Sequence, residues 1–164
     1  MKTLILLTAV FISFQSVSQS TQDLNKAAAR GFYENLWFSN NTASYEQYLA
    51  KEYIIHDIGE EKGLVEPAMR QKEIADFFWG NGNMSGEIDF QVSEGDIVAT
   101  RWHWTFAPSS LLGRIAIGET NIPIINAFRF EDGKIVEIWN HRHDIDIPGR
   151  RNALVMKGLA FGLL

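Results

Sequence analysis

The chain has 164 residues, no cysteine and a formal net charge of −5. The length allows one domain, the lack of cysteine excludes disulfides and thiolate chemistry, and the acidic balance argues against a nucleic-acid surface. Eleven Phe and five Trp suggest a cavity with aromatic walls inside an otherwise ordinary core.

Residues 1–18 read as a secretory signal. Lys2 gives the positive start, Leu4 to Phe14 is the apolar stretch, and Ser16-Val17-Ser18 is a small-x-small cleavage site that leaves Gln19 first. The apolar run is short of the ~20 residues a spanning helix needs, which favours cleavage over an uncleaved anchor. Losing Lys2 takes the formal charge from −5 to −6. An exported chain without cysteine fits a periplasmic or secreted protein. About 145 residues remain, enough to bury a core.

Asp23 to Phe38 is the first helix, with Leu24, Ala27, Ala28, Phe32 and Leu36 near the helical period. Ser44 to Leu49 is a second, short one, and Tyr53 to Asp57 a short strand. Gly59 to Gly63 is a charged loop. Pro67 suits the first turn of a third helix that runs to about Trp79 and stops at Gly80-Asn81-Gly82-Asn83. Strands follow. Ile88, Phe90 and Val92 alternate up to a Glu94-Gly95-Asp96 turn, and Ile97 to Phe106 is a long aromatic strand. Pro108 to Gly118 is a loop. Ile122–Glu131 and Lys134–His143 form a hairpin around Asp132-Gly133. Helices first and an antiparallel meander after predict an α+β domain over 19–149, with helices on one face of a curved sheet and a conical small-molecule cavity between them. An apolar tail, 150–164, is left to cap the cavity, join an interface or lie on a membrane.

Side chains alternate along a strand. Trp139, His141 and His143 therefore share one face, and Asn140, Arg142 and Asp144 the other. An aromatic with two imidazoles suggests an apolar pocket holding titratable groups. Arg101 and His103 share a face of the long strand, opposite Thr100, Trp102, Trp104 and Phe106. Asn126 sits with Phe128 and Phe130. Alternation does not say which faces look inward, since both carry aromatics and a bulge would swap them. Trp102 and Trp104 also suit a dimer interface. If the sheet curls, His56 approaches the Trp139–Asp144 end, where a paired His is a candidate general base. His141-x-His143 has metal-ligand spacing, with His56 or His103 as a third ligand, but the motif is short. No Gly-x-Ser-x-Gly elbow and no phosphate-cradling loop occurs.

The run Glu94 to Trp102, followed by Phe128-Arg129-Phe130-Glu131-Asp132-Gly133-Lys134 through Trp139, resembles the SnoaL-like polyketide cyclases of the nuclear transport factor 2-like superfamily. The resemblance covers roughly Asp23 to Asp144. It implies a cone-shaped α+β barrel, commonly a homodimer, with a deep apolar cavity and, as in most members, neither metal nor organic cofactor. His56 matches the histidine that ends the first strand in this group, and Trp139 its last-strand tryptophan. Cyclase-type members carry an acidic general acid/base four positions after that tryptophan. Here the position is His143, followed by Asp144. The expectation is an exported protein that binds a small, mostly apolar molecule with a carbonyl or hydroxyl. Its chemistry would be proton transfer next to the carbonyl (cyclisation, isomerisation or dehydration). His143 or Asp144 would be the base, His141 and His56 would orient it, and Trp139, Arg101, His103 and Asn126 would contact substrate. A non-catalytic ligand-binding or dimerisation module is the alternative.

Overall fold

Hydrophobic periodicity in the first third of the chain produces helix, and the computed structural model, which describes residues 21–56, 63–116 and 118–142, gives that helix an irregular end. Residues 21–31 are α-helical (α1). The chain then widens into a π-helical turn, Phe32–Trp37, where Phe38 N–H donates to Tyr33 O at 2.8 Å. A π-turn puts an extra residue into the helical repeat and is frequent at functional sites. Here it buries Phe32, Tyr33 and Leu36 together. A 3₁₀ turn, Thr42–Ser44, and one turn of helix, α2 (Tyr45–Tyr48), lead into β1 (Leu49–His56).

β2 (Leu64–Pro67) pairs antiparallel with β1. Helix α3 (Met69–Asn81) runs directly into β3 (Gly82–Glu94). A turn at Gly95-Asp96 leads to β4 (Ile97–Pro108), then α4 (Leu111–Ala116), β5 (Thr120–Glu131) and β6 (Lys134–Arg142). The six strands form one sheet in the order β2-β1-β6-β5-β4-β3. β3 to β6 are the expected meander, and β6 closes beside β1 in parallel, His56 opposite Trp139. Register shifts between Ile88 and Phe90 and between Arg129 and Phe130 bend and twist these long strands, as bulges do.

Burial alternates strictly along β4 and β5. Val98, Thr100, Trp102, Trp104 and Phe106 face inward with Ile122, Ile124, Asn126, Phe128 and Phe130, against Phe32 and Leu36 of the π-turn and Ala75 and Phe78 of α3. The α+β class, the helix-first order and the final hairpin are as the sequence predicts. Trp102 and Trp104 are 6% and 7% exposed, so both belong to the interior and not to an outer face available for dimerisation. Pro67 ends β2 instead of opening α3. α4 lies within the expected 108–118 loop, and its Leu111, Leu112 and Ile115 are largely exposed. No described helix is long and apolar enough to cross a membrane.

Candidate functional site

A cavity of about 240 Å³ lies between the helices and the inner face of the sheet. The π-turn supplies Phe32, Tyr33 and Trp37, and α3 supplies Gln71, Ile74 and Phe78. The sheet contributes Trp102, Trp104, Ile124, Asn126, Phe128, Ile138 and Asn140, with Ile55 from β1. The spacing Gln71, Ile74, Phe78 places one amide on the apolar stripe of α3. On β6 the period of two sends Ile138 and Asn140 inward.

Two separate hydrogen-bonded sets hold the amides of this cavity. Asn126 is 6% exposed. Its Oδ1 accepts from the Tyr33 hydroxyl at 2.7 Å and from Trp102 Nε1 at 2.8 Å. Its Nδ2 donates to Asn140 Oδ1 at 3.1 Å and, more weakly, to Trp139 O at 3.4 Å. Gln71 Nε2 donates to the Tyr53 hydroxyl at 2.8 Å, and that hydroxyl donates to the Glu66 carboxylate. Burial first, and the hydrogen bond to Glu66 second, push the Tyr53 phenol far above its ordinary range. Burial does the same to Tyr33. Both therefore stay protonated donors. Trp104 Nε1 is buried with no acceptor among the described residues, and a buried donor left unpaired costs about 1–3 kcal/mol.

The opposite face of the sheet carries a different set. The His56 ring stacks on Trp139, with centroids 5.1 Å apart and planes 4° from parallel. His56 Nε2 lies 2.6 Å from Glu137 Oε1, while Glu137 Oε2 accepts from Arg129 Nε at 2.8 Å. Burial raises the Glu137 pKa, but Arg129 and then His56 outweigh it and leave the carboxyl below its usual value. Further along, Asp89 Oδ2 bridges Arg101 Nε at 2.8 Å and His103 Nε2 at 3.3 Å, and His103 Nδ1 meets Asn121 Oδ1 at 3.1 Å.

Of the residues singled out from sequence, Asn126 lines the cavity. His56 and Trp139 come together as a curled sheet requires, but on the outer face, with Glu137 as the histidine's partner. His141 shares the outward parity of Trp139 and is exposed. Arg101 and His103 also lie away from the cavity, in the half-buried alternate positions of β4. The pocket thus sits on the face of β6 opposite the Trp139–His141 face. His143, Asp144, Asp57, the 1–18 segment and the 150–164 tail lie outside the described residues. Among the described residues no group of three or more His, Cys, Asp and Glu could hold one metal ion. Gln71 and Asn140 were not legible as site residues. The available signals were an amide on the apolar stripe of α3 and an asparagine in phase with Ile138.

The family model for the SnoaL-like polyketide cyclases matches residues 27–147. The chain belongs to this family. No curated protein matches the sequence. Several solved structures share the SnoaL-like fold. A proposed polyketide cyclase from Acidithiobacillus ferrooxidans is 17% identical with a TM-score of 0.63, over 79% of this chain and 95% of that one. A second, from Bacillus cereus, is 20% identical with a TM-score of 0.64, over 84% and 87%. An LEH-like epoxide hydrolase from M. tuberculosis is 15% identical with a TM-score of 0.62, over 87% and 94%. At these identities the likeness establishes the fold: a nuclear transport factor 2-like α+β cone, on which different chemistries are carried.

Proposed function

We propose that this SnoaL-like protein binds a small, mostly apolar, uncharged molecule bearing a carbonyl or hydroxyl, and moves a proton at the carbon next to that carbonyl. The observation that carries the binding reading is the cavity itself, walled by aromatic and aliphatic side chains with a few amides between them. An apolar pocket with sparse, fixed polar groups orients such a ligand. Among the described lining residues there is no Asp, Glu, His, Lys or Arg, so a charged ligand would lose its hydration without a partner. The base in this reading is His143 or Asp144, near the position where cyclase-type relatives carry their acid/base residue. His56 is instead assigned to the outer face by its stacking on Trp139 and its bond to Glu137.

A second reading, a non-catalytic ligand-binding module, is favoured by that same lack of an acid or base among the described lining residues. One experiment separates the two. The protein is incubated in D₂O with α-tetralone, a bicyclic aromatic ketone, and loss of the proton signal beside the carbonyl is followed by NMR. The catalytic reading expects exchange above the buffer rate, reduced about 10²-fold or more in His143→Ala or Asp144→Ala, the scale of a lost general base. Exchange at the buffer rate with bound α-tetralone selects the binding module.

Export and pairing into a homodimer belong to the same proposal. Export rests on residues 1–18. Pairing rests on the family resemblance and on Phe90 and Val92, each more than half exposed on β3. N-terminal sequencing of the mature protein tests the first, and light scattering tests the second.

A further inference from the structure

Two hydrogen-bond chains end at the cavity with fixed and opposite polarity. The first begins at Trp102, whose indole nitrogen can only donate. Its bond to Asn126 therefore makes the contacted amide atom an oxygen, and the Tyr33 hydroxyl donates to the same oxygen. The amide orientation of Asn126 follows, with Nδ2 toward Asn140. Asn140 must then present Oδ1 to Asn126, which turns its own Nδ2 away from Asn126. Among the described residues nothing accepts a hydrogen bond from Asn140 Nδ2, and Asn140 lines the cavity.

The second chain begins at Glu66, whose carboxylate can only accept. The Tyr53 hydroxyl spends its proton on Glu66, so it must accept from Gln71, and the Gln71 nitrogen is fixed toward Tyr53. Gln71 Oε1 is left. Gln71 is 5% exposed and lines the cavity, and no described residue donates to Oε1.

We propose that Asn140 Nδ2 and Gln71 Oε1 are the ligand-reading atoms of this cavity, and that the ligand is an uncharged hydroxy-carbonyl compound whose carbonyl oxygen accepts from Asn140 and whose hydroxyl donates to Gln71. This rests on the reading of the cavity as a ligand site and adds the polarity of two of its polar contacts. An amide held at one end by a bond it cannot reverse loses little entropy on meeting a ligand, so its discrimination is larger than that of a free side chain. A ligand that places an apolar group against either atom leaves a buried polar group unpaired, which is costly.

The test compares tetralin, α-tetralone and the ring-hydroxylated isomers of α-tetralone, by calorimetric titration of the full chain. In the native protein α-tetralone should bind about tenfold tighter than tetralin, the size of one good hydrogen bond. Asn140→Leu should reduce that ratio to about one. Asn140→Asp keeps an acceptor for Asn126 but has no N–H₂, so it tests the same point with the Asn126 chain intact. At least one hydroxylated isomer should gain about threefold or more over α-tetralone, and Gln71→Met should abolish the gain. Equal tetralin and α-tetralone affinity in the native protein, or a preference that survives both Asn140 variants, overturns the carbonyl contact while leaving the cavity a ligand site. No gain for any hydroxylated isomer overturns the hydroxyl contact. No binding of any probe overturns the inference and the ligand-site reading together.

Discussion

The imidazole of His56 lies flat on the indole of Trp139 at the closure between β1 and β6, on the face of the sheet turned away from the cavity. The contact joins the first long strand to the last and is locked by the Glu137 carboxylate, which also takes Arg129. His56→Ala removes a stacked pair and a hydrogen bond, and should lower stability by about 1–2 kcal/mol. Urea denaturation reads this. Tetralin affinity should change less than about twofold, because the ring does not reach the cavity wall.

The same carboxylate predicts acid sensitivity. Glu137 has a folded-state pKa below its ordinary value, and so has Asp76, held down by its hydrogen bonds from Lys72 and then from Thr42. A depressed carboxylate stabilises the fold above its unfolded pKa, and the contribution is lost as pH falls through the lowered folded value. Denaturation midpoints should therefore drop on acidification through and below the ordinary carboxylate range. Glu137→Gln should flatten that drop, at the cost of stability near neutral pH.

Asn126 holds two buried donors on one oxygen. Asn126→Ala leaves the Tyr33 hydroxyl and Trp102 Nε1 without an acceptor. At about 1–3 kcal/mol for each buried orphan, the loss should be about 2–6 kcal/mol, a large share of a typical domain's stability. Thermal denaturation with Asn126→Asp as the control checks the mechanism. Asp keeps an acceptor for both donors and should recover part of the loss.

These three sites also mark how far the sequence could be read. That Asn126 shares a face of β5 with Phe128 and Phe130 follows from alternation alone, as does the opposition of His103 to Trp104 on β4, but that these faces look inward is given by burial and not by alternation. The approach of His56 to Trp139 follows once the sheet is allowed to curl. The side of β6 that faces the cavity does not follow, because Trp139 and Ile138 are both credible inner residues, and the choice is made by the parallel pairing with β1. β2 is four residues, and its Leu64 and Val65 stay exposed, so it has no buried pattern to detect. α4 is similar: its apolar residues point to solvent, and a period search finds nothing to anchor.

Close approach at Gly86 gives a further prediction. A Cβ there would lie 2.1 Å from Phe38 Cε1, and Phe38 stacks on Tyr33 at the end of the π-turn. Gly86→Ala must push Phe38 aside, and overpacking of this kind costs about 1–3 kcal/mol. The shift should reach the cavity through Tyr33. Reduced thermal stability together with altered tryptophan emission checks it, since Trp102 packs on both Tyr33 and Phe38.

In the proposed function the space between helices and sheet holds a small uncharged molecule. Native mass spectrometry of gently purified protein, before and after addition of α-tetralone, tests it most directly. A companion variant, Ile74→Trp, fills the cavity from α3. The account predicts one small molecule per protomer in the native chain, either carried through purification or taken up from α-tetralone, and none in Ile74→Trp. Failure of the native chain to carry or take up any molecule, or equal uptake by the filled variant, would contradict it.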